Sequence, residues 1–152
     1  MSHSDNFILW ENDSYSVYTL SNPHIPYFEG PHIYLIPKRV IPNAWADAEL
    51  AGQTFKLAAK VCAIMEGLKL SPWFNLQANG NWGLLPGKKP YFHIHIYGRN
   101  KTDTWAKPIV LPEAPGTFQN EPMPEEDRAR LSQALATQLN LKLAKQRRDK
   151  YI

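Results

Sequence analysis

The residues best placed for chemistry are His93 and His95, inside the stretch Tyr91-Phe92-His93-Ile94-His95-Ile96-Tyr97. Large residues alternate strictly here, which is the two-residue period of a strand. Phe92, Ile94 and Ile96 share one face, and Tyr91, His93, His95 and Tyr97 the other. Two imidazoles at i and i+2 stand roughly 6–7 Å apart at the backbone. Both can therefore reach one object the size of a phosphate or a metal ion. Neutral imidazole serves as nucleophile, general acid or base, and metal ligand near neutral pH. The spacing alone leaves three readings open: a catalytic pair, a metal pair, or a half-buried pair satisfied by hydrogen bonds.

The length of 152 residues suits one domain with a hydrophobic core of its own. A hydrophobic content of 43% and a charged content of 20% are ordinary for a globular protein. No apolar run approaches the roughly 20 residues that span a bilayer. The N-terminal residues lack the basic and apolar blocks of a signal peptide. A single cysteine, Cys62, excludes an internal disulfide framework, and the expectation is a cytoplasmic protein. Cys62 itself reads as structural, since no basic neighbour lowers its pKa. The net charge of +3 permits nucleic-acid binding without arguing for it. Much of the excess lies in Lys142, Lys145, Arg147, Arg148 and Lys150, which reads as a solvated helix end.

Several elements must position the pair. Phe7 to Trp10 is a short apolar segment broken by a turn at Glu11 to Asp13. Tyr15 to Leu20 reads as a strand, and a loop with Pro23, Pro26 and Pro31 follows. His32 to Pro37 is a nearly all-apolar strand, hence central in its sheet, with His32 as its buried start. His24 and His3 belong to no motif. A helix is predicted from about Trp45 to Gly67, with Leu50, Leu57, Val61, Ile64 and Leu68 at helical spacing. Trp73 to Ala78 is a strand that forms a hairpin with residues 91–97. Pro124 and the acids after it start a last helix, striped by Leu131, Leu135, Leu139 and Leu143. That helix is expected to dock on this domain or on a twin subunit. The predicted architecture is α+β: an antiparallel sheet of four or five strands, one long packed helix, and an appended C-terminal helix. Residues 1–118 form the domain and 119–152 the extension.

Taken in order, four segments resemble the histidine triad (HIT) superfamily of nucleotide hydrolases and transferases. They are Glu11-Asn12-Asp13 before a strand; His32 through Pro37-Lys38; Phe74-Asn75 with Asn79-Gly80; and His93 through Arg99. Asp103, Trp105 and Pro108 to Val110 are similar to a downstream stretch of a bacterial branch. The likeness covers roughly residues 10–110 and implies a HIT-like fold. In the preferred register His93 and His95 match the second and third triad histidines, and Tyr91 stands where the first would be. The other register makes them first and second, with Tyr97 third.

The resemblance implies that His93 is the nucleophile at the α-phosphate of a nucleotide, forming a covalent nucleotidyl-histidine. His95 would contact phosphoryl oxygens or the leaving group, with Tyr91 beside them. Asn22, Asn79, Gly87, Lys88, Lys89 and Arg99 are the candidate ligand-binding residues. No metal or cofactor is required by that scheme. The implied partners are a nucleotide or dinucleotide and a second copy of the chain; membrane and nucleic acid are not expected. Three departures bear on the activity. Tyr91 is not a base near pH 7, and Val40 stands where many members have a phosphate-approaching histidine. The ribose-binding acid falls near Leu20, with Asn22 as its substitute. Trp82 and Trp105 either cover a base or anchor loops. The competing readings are a HIT-like nucleotide-binding module without catalysis, and a metal site of His93, His95 and a third ligand such as His32.

Overall fold

The computed structural model describes residues 6–100, 109 and 118–149, with side chains described as far as Asn140. Asp103, Trp105, Pro108 and Val110 lie outside the described residues, as do the side chains of Leu143 and of the basic C-terminal cluster. Five strands form one antiparallel sheet: β1 (Phe7–Glu11), β2 (Tyr15–Thr19), β3 (His32–Pro37), β4 (Phe74–Gln77) and β5 (Ile94–Gly98). Their spatial order is β1-β2-β3-β5-β4, so β3 and β5 are the neighbours at the centre. Two helices, α1 (Ala48–Gly67) and α2 (Glu125–Asp149), complete the α+β arrangement.

Strand parity sorts the sheet into two faces. Val17, Leu35, Ile33, Ile94 and Ile96 point into the core, each fully buried. The opposite face carries Tyr18, Tyr34 and His95 in one cross-strand row and His32 with Tyr97 in the next. Helix α1 covers the core face. Its buried residues are Ala51, Thr54, Ala58, Val61, Ile64 and Met65. The predicted contact residues Leu50, Leu57 and Leu68 are only half-buried, on the flank. Small side chains at 51, 54 and 58 let the helix axis approach the sheet, where larger ones would hold it off.

The helix also starts later than Trp45. Asp47 accepts a hydrogen bond from the Leu50 backbone N–H at 2.9 Å, a side-chain N-cap that places the first helical residue at Ala48. Ala44–Ala46 is a separate 3₁₀ turn, and Trp45 on it is 84% exposed. Cys62 is half-buried on α1, and burial pushes its thiol up to about 12, leaving it inert near neutral pH.

Helix α2 lies on the same domain. Leu131, Leu135 and Leu139 share one core with Leu9, Trp10 and Met65. Trp10 Nε1–H donates to Asn140 Oδ1 at 3.2 Å, and an Arg130 guanidinium N–H donates to the Leu68 carbonyl at 3.0 Å. A register shift between Ile8 and Trp10 in the β1–β2 pairing buries Leu9 and Trp10 together. No helix among the described residues is long and apolar enough to cross a membrane.

The β2–β3 loop is fastened to the end of β5. The Gly98 N–H donates to the Pro31 carbonyl at 2.7 Å, and the Asn100 N–H to the Glu29 carbonyl at 2.6 Å. Gly30 permits this approach: its φ is +146°, and a Cβ there would sit 2.0 Å from the Gly98 carbonyl oxygen. This zipper holds residues 21–31 against the histidine face.

Candidate functional site

The site is a cluster of buried histidines and tyrosines on the sheet face opposite α1. His93, His95 and Tyr97 share that face, while Phe92, Ile94 and Ile96 lie in the core, as the alternation predicts. Regular pairing begins only at Ile94. The partner of the next residue pair would be Ile36-Pro37, and proline has no N–H for a ladder. The Phe92 N–H goes instead to the Ile41 carbonyl, at 2.7 Å. His93 therefore stands just outside the strand and is set by contacts of its own.

Those contacts are specific. His93 Nδ1–H donates to the Tyr91 carbonyl at 3.0 Å. A carbonyl only accepts, so the proton of a neutral His93 is on Nδ1 and its Nε2 carries a lone pair. That Nε2 lies 3.0 Å from His95 Nε2. Tyr34 stacks on the His93 ring at 4.7 Å and 12°. Tyr91 packs against it at 4.7 Å, and Trp82 meets Tyr91 edge-on at 5.3 Å. His93 and His95 are 2% and 4% exposed.

Two further histidines belong to the cluster. His32 Nε2 lies 3.0 Å from His95 Nδ1, and the ring of Tyr97 stacks on His32 at 4.4 Å. His24, from the β2–β3 loop, donates its backbone N–H to His32 Nδ1 at 3.1 Å. Its ring lies 4.5 Å from those of both His32 and Phe118, and its Nδ1 is 3.0 Å from Tyr97 Oη. In the sequence His32 reads as a buried strand start and as the third ligand of the alternative metal site. The signal that finds it is parity: it opposes Ile33 and Leu35 and so shares a face with Tyr34. No sequence signal marks His24, whose contact with Tyr97 spans 73 residues.

Burial and the neighbouring imidazoles hold His24, His32 and His95 neutral near neutral pH. Desolvation, then repulsion from His93, lowers His24 to about 4. Desolvation lowers His32 and His95 well below the ordinary value, with the nearby histidines adding to it. Tyr34, Tyr97 and Tyr91 are all raised, chiefly by burial, so none ionises near neutral pH. Tyr91 meets His93 through its backbone carbonyl and its ring, and its hydroxyl is hydrogen-bonded with Tyr34.

His24, His32 and His95 each offer a nitrogen within 4.8 Å of the others. The donor geometry does not suit a metal. A neutral imidazole bound to metal through Nε2 keeps its proton on Nδ1. His32 Nδ1 instead faces the His24 backbone N–H, a donor. The nitrogens are engaged in hydrogen bonds instead: His32 Nε2 with His95 Nδ1 at 3.0 Å, and Tyr97 Oη with His24 Nδ1 at 3.0 Å and His95 Nδ1 at 3.2 Å.

The other candidates lie apart from this cluster in burial or along the strand. Arg99 is 4% exposed and donates from Nη1 to Asn75 Oδ1 at 3.2 Å. Six residues beyond His93, it lies about 20 Å further along an extended backbone. Asn22, Asn79, Gly87, Lys88 and Lys89 are all exposed. Asn79 Nδ2–H donates to Gln77 Oε1 at 3.1 Å, and the Lys88 backbone N–H to the Leu85 carbonyl at 3.1 Å. Val40 is 72% exposed.

No protein-family model matches the chain, and no curated protein matches it. Solved structures do. A histidine triad protein from Sinorhizobium meliloti superposes with a TM-score of 0.62 at 19% identity, over 88% of this chain and 92% of that one. One from Bradyrhizobium japonicum gives 0.60 at 18%, over 88% and 90%. A hypothetical histidine triad nucleotide-binding protein from Sulfolobus tokodaii gives 0.55 at 16%, over 86% and 80%. These likenesses, together with the five-stranded antiparallel sheet and its packed helices, establish that the chain has the histidine triad (HIT) fold.

Proposed function

We propose that the chain binds a nucleotide over the histidine face and that His93 attacks its α-phosphate. The observation that carries this reading is the His93 Nδ1–H held by the Tyr91 carbonyl, which places the lone pair of the neutral imidazole on Nε2. The Nε2–phosphorus bond forms as the bond to the leaving group breaks. His95, 3.0 Å away, keeps its Nε2–H and hydrogen-bonds through it to a phosphoryl oxygen or to the leaving group, which departs with the bonding electron pair and takes any proton it needs from solvent. Water then attacks the nucleotidyl-histidine, loses its proton to solvent, and releases the nucleotide with the electron pair of the broken bond back on His93 Nε2. All of this needs only the imidazoles. The neighbour from Sulfolobus tokodaii is described as nucleotide-binding, which agrees with the reading.

The 3.0 Å contact between the two Nε2 atoms must open for a phosphate to enter, as must the Trp82–Tyr91 edge over His93. Segment 80–90 is built for that. It is largely exposed, and it carries Gly80 at φ +65° and Gly87 at φ +75°. Opening would bring Lys88 and Lys89 within reach of an anionic ligand. Pairing of two copies along β4, the edge strand of the sheet among the described residues, flanked by the 62% exposed Trp73, belongs to the same proposal.

A nucleotide-binding protein without turnover is the second reading, favoured by Tyr91, which supplies no acid or base near pH 7. The experiment is calorimetric titration with adenosine and guanosine monophosphates beside turnover of dinucleoside polyphosphates and nucleoside phosphoramidates. Wild type is expected to bind and turn over, and His93→Ala to bind only. Binding without turnover in wild type selects the second reading, and absence of binding overturns both.

A further inference from the structure

We infer that residues 118–124, the strap leading into α2, clasp the β2–β3 loop over the histidine face and so set access to it. Three contacts run from the strap and the first turn of α2 to the loop. The Phe118 ring stacks on His24 at 4.5 Å and 26°. Asn120 Nδ2–H donates to the Pro23 carbonyl at 2.9 Å, and Tyr27 Oη–H to Asp127 Oδ2 at 2.5 Å. Asp127 is itself held by Arg130, whose Nη1 donates to Asp127 Oδ1 at 2.9 Å. The same guanidinium reaches the Leu68 carbonyl, so the grip on Tyr27 is braced against the end of α1. The loop thus has two fastenings. Residues 28–31 are zipped to the end of β5, and residues 23–27 are gripped from the strap and α2. Between the two, the His24 ring lies 4.5 Å from His32, 5.3 Å from His95 and 6.2 Å from Tyr97. A ligand beside His95 that extends along β5 towards Tyr97 meets this ring and the Phe118 ring stacked on it.

The strap is built to lift. Among the described residues, no backbone–backbone hydrogen bond joins 118–123 to the rest of the protein. Its hold is made by side chains, and a segment with few interactions to break together opens locally at low cost. Pro122 and Pro124 fix φ and keep the segment out of helix until α2 begins. Met123, between them, is 2% exposed and belongs to the core. Gln119 and Glu121 are exposed. Lifting therefore pivots at Met123 and frees 118–121, while α2 stays docked through Leu131, Leu135 and Leu139. With Phe118 and Asn120 gone from the loop, His24 keeps its contacts to His32 Nδ1 and Tyr97 Oη but loses the clasp that presses it there. That the gated ligand is a nucleotide rests on the function proposed above; the closure over His95 does not.

Diethyl pyrocarbonate, a small reagent that acylates accessible neutral imidazole nitrogens, tests the strap without any nucleotide. Labelling at neutral pH is followed residue by residue, by tandem mass spectrometry of proteolytic peptides. His95 is 4% exposed and should react slowly in wild type. In Phe118→Ala and in Asn120→Ala its rate should rise about fivefold, the worth of one lost side-chain contact in an opening equilibrium. His93, packed against Tyr91 and Trp82 rather than the loop, should keep its wild-type rate. An unchanged His95 rate in both variants overturns the inference. So does a rise shared equally by His93, which would mean a general loosening of the domain. Asn120→Ala, which removes a single side-chain contact, decides alone should Phe118→Ala fail to fold. Adenosine monophosphate should also associate faster with both variants in stopped-flow mixing. Faster labelling of His95 in proteins that bind no nucleotide would refute the proposed function and leave the strap intact.

Discussion

Acidification should unfold this protein through its buried histidines, and the size of the effect follows from the cluster. Burial lowers His24 from 6.5 to about 4, so the folded protein refuses a proton that the unfolded chain accepts. For a folded pKa below the unfolded one, the neutral histidine contributes its full stability above about pH 6.5. That contribution is lost as the pH falls from there towards 4. At pH 5 the loss from His24 alone is about 2 kcal/mol. His32 and His95 shift in the same direction from the same cause and add with the same sign. Against a typical folding stability of about 5–15 kcal/mol, the sum is a large part of the whole. Asp47 does not confuse this window, because its carboxyl is held below its ordinary 3.8 and titrates at lower pH. Urea unfolding at pH 7 and pH 5, followed by tryptophan fluorescence at constant ionic strength, measures the difference. Equal midpoints at the two pH values, or His24, His32 and His95 titrating near 6.5 in the folded protein, would refute their neutrality.

Three substitutions probe the elements that hold the site. Leu135→Ala empties a fully buried position between α2 and the sheet and should cost about 2–5 kcal/mol in denaturant unfolding; a loss under 1 kcal/mol would mean that α2 is not docked there. Gly30→Ala sets a Cβ against the Gly98 carbonyl at a φ of +146°. It should cost at least about 2 kcal/mol and loosen the β2–β3 loop, seen as faster amide exchange at Gly98 and Asn100. Tyr91→Phe keeps the backbone carbonyl that His93 uses, so turnover should stay within about threefold of wild type, while the lost hydroxyl contact costs about 1 kcal/mol of stability. A hundredfold loss of turnover would assign chemistry to the phenol.

What was legible in the sequence was what strand periodicity encodes. The alternation from Tyr91 to Tyr97 separated the core residues Phe92, Ile94 and Ile96 from the histidine face, because neighbouring side chains on a strand must point oppositely. Residues joined by long loops were not legible. His24 reaches the cluster only because Gly30 and Pro31 are zipped to Gly98, a contact with no local signature. His32 was masked by the apolar run it begins, since a strand buried on both faces loses its alternation. On α1 the predicted Val61 and Ile64 are buried and Leu50, Leu57 and Leu68 pack at the flank, but the small contact residues were overlooked. Large leucines draw attention, but Ala51, Thr54 and Ala58 make the close contact because they are small.

The central claim is that His93 forms a covalent bond to a nucleotide, and intact-mass spectrometry followed by peptide mapping measures that bond. Wild type mixed with an adenylated or guanylated substrate and quenched without acid should gain one nucleotidyl mass. The mass should map to the peptide containing His93, and His93→Ala should gain none. An adduct on another residue, or turnover with a full complement of unmodified protein trapped at every time point, would contradict the account.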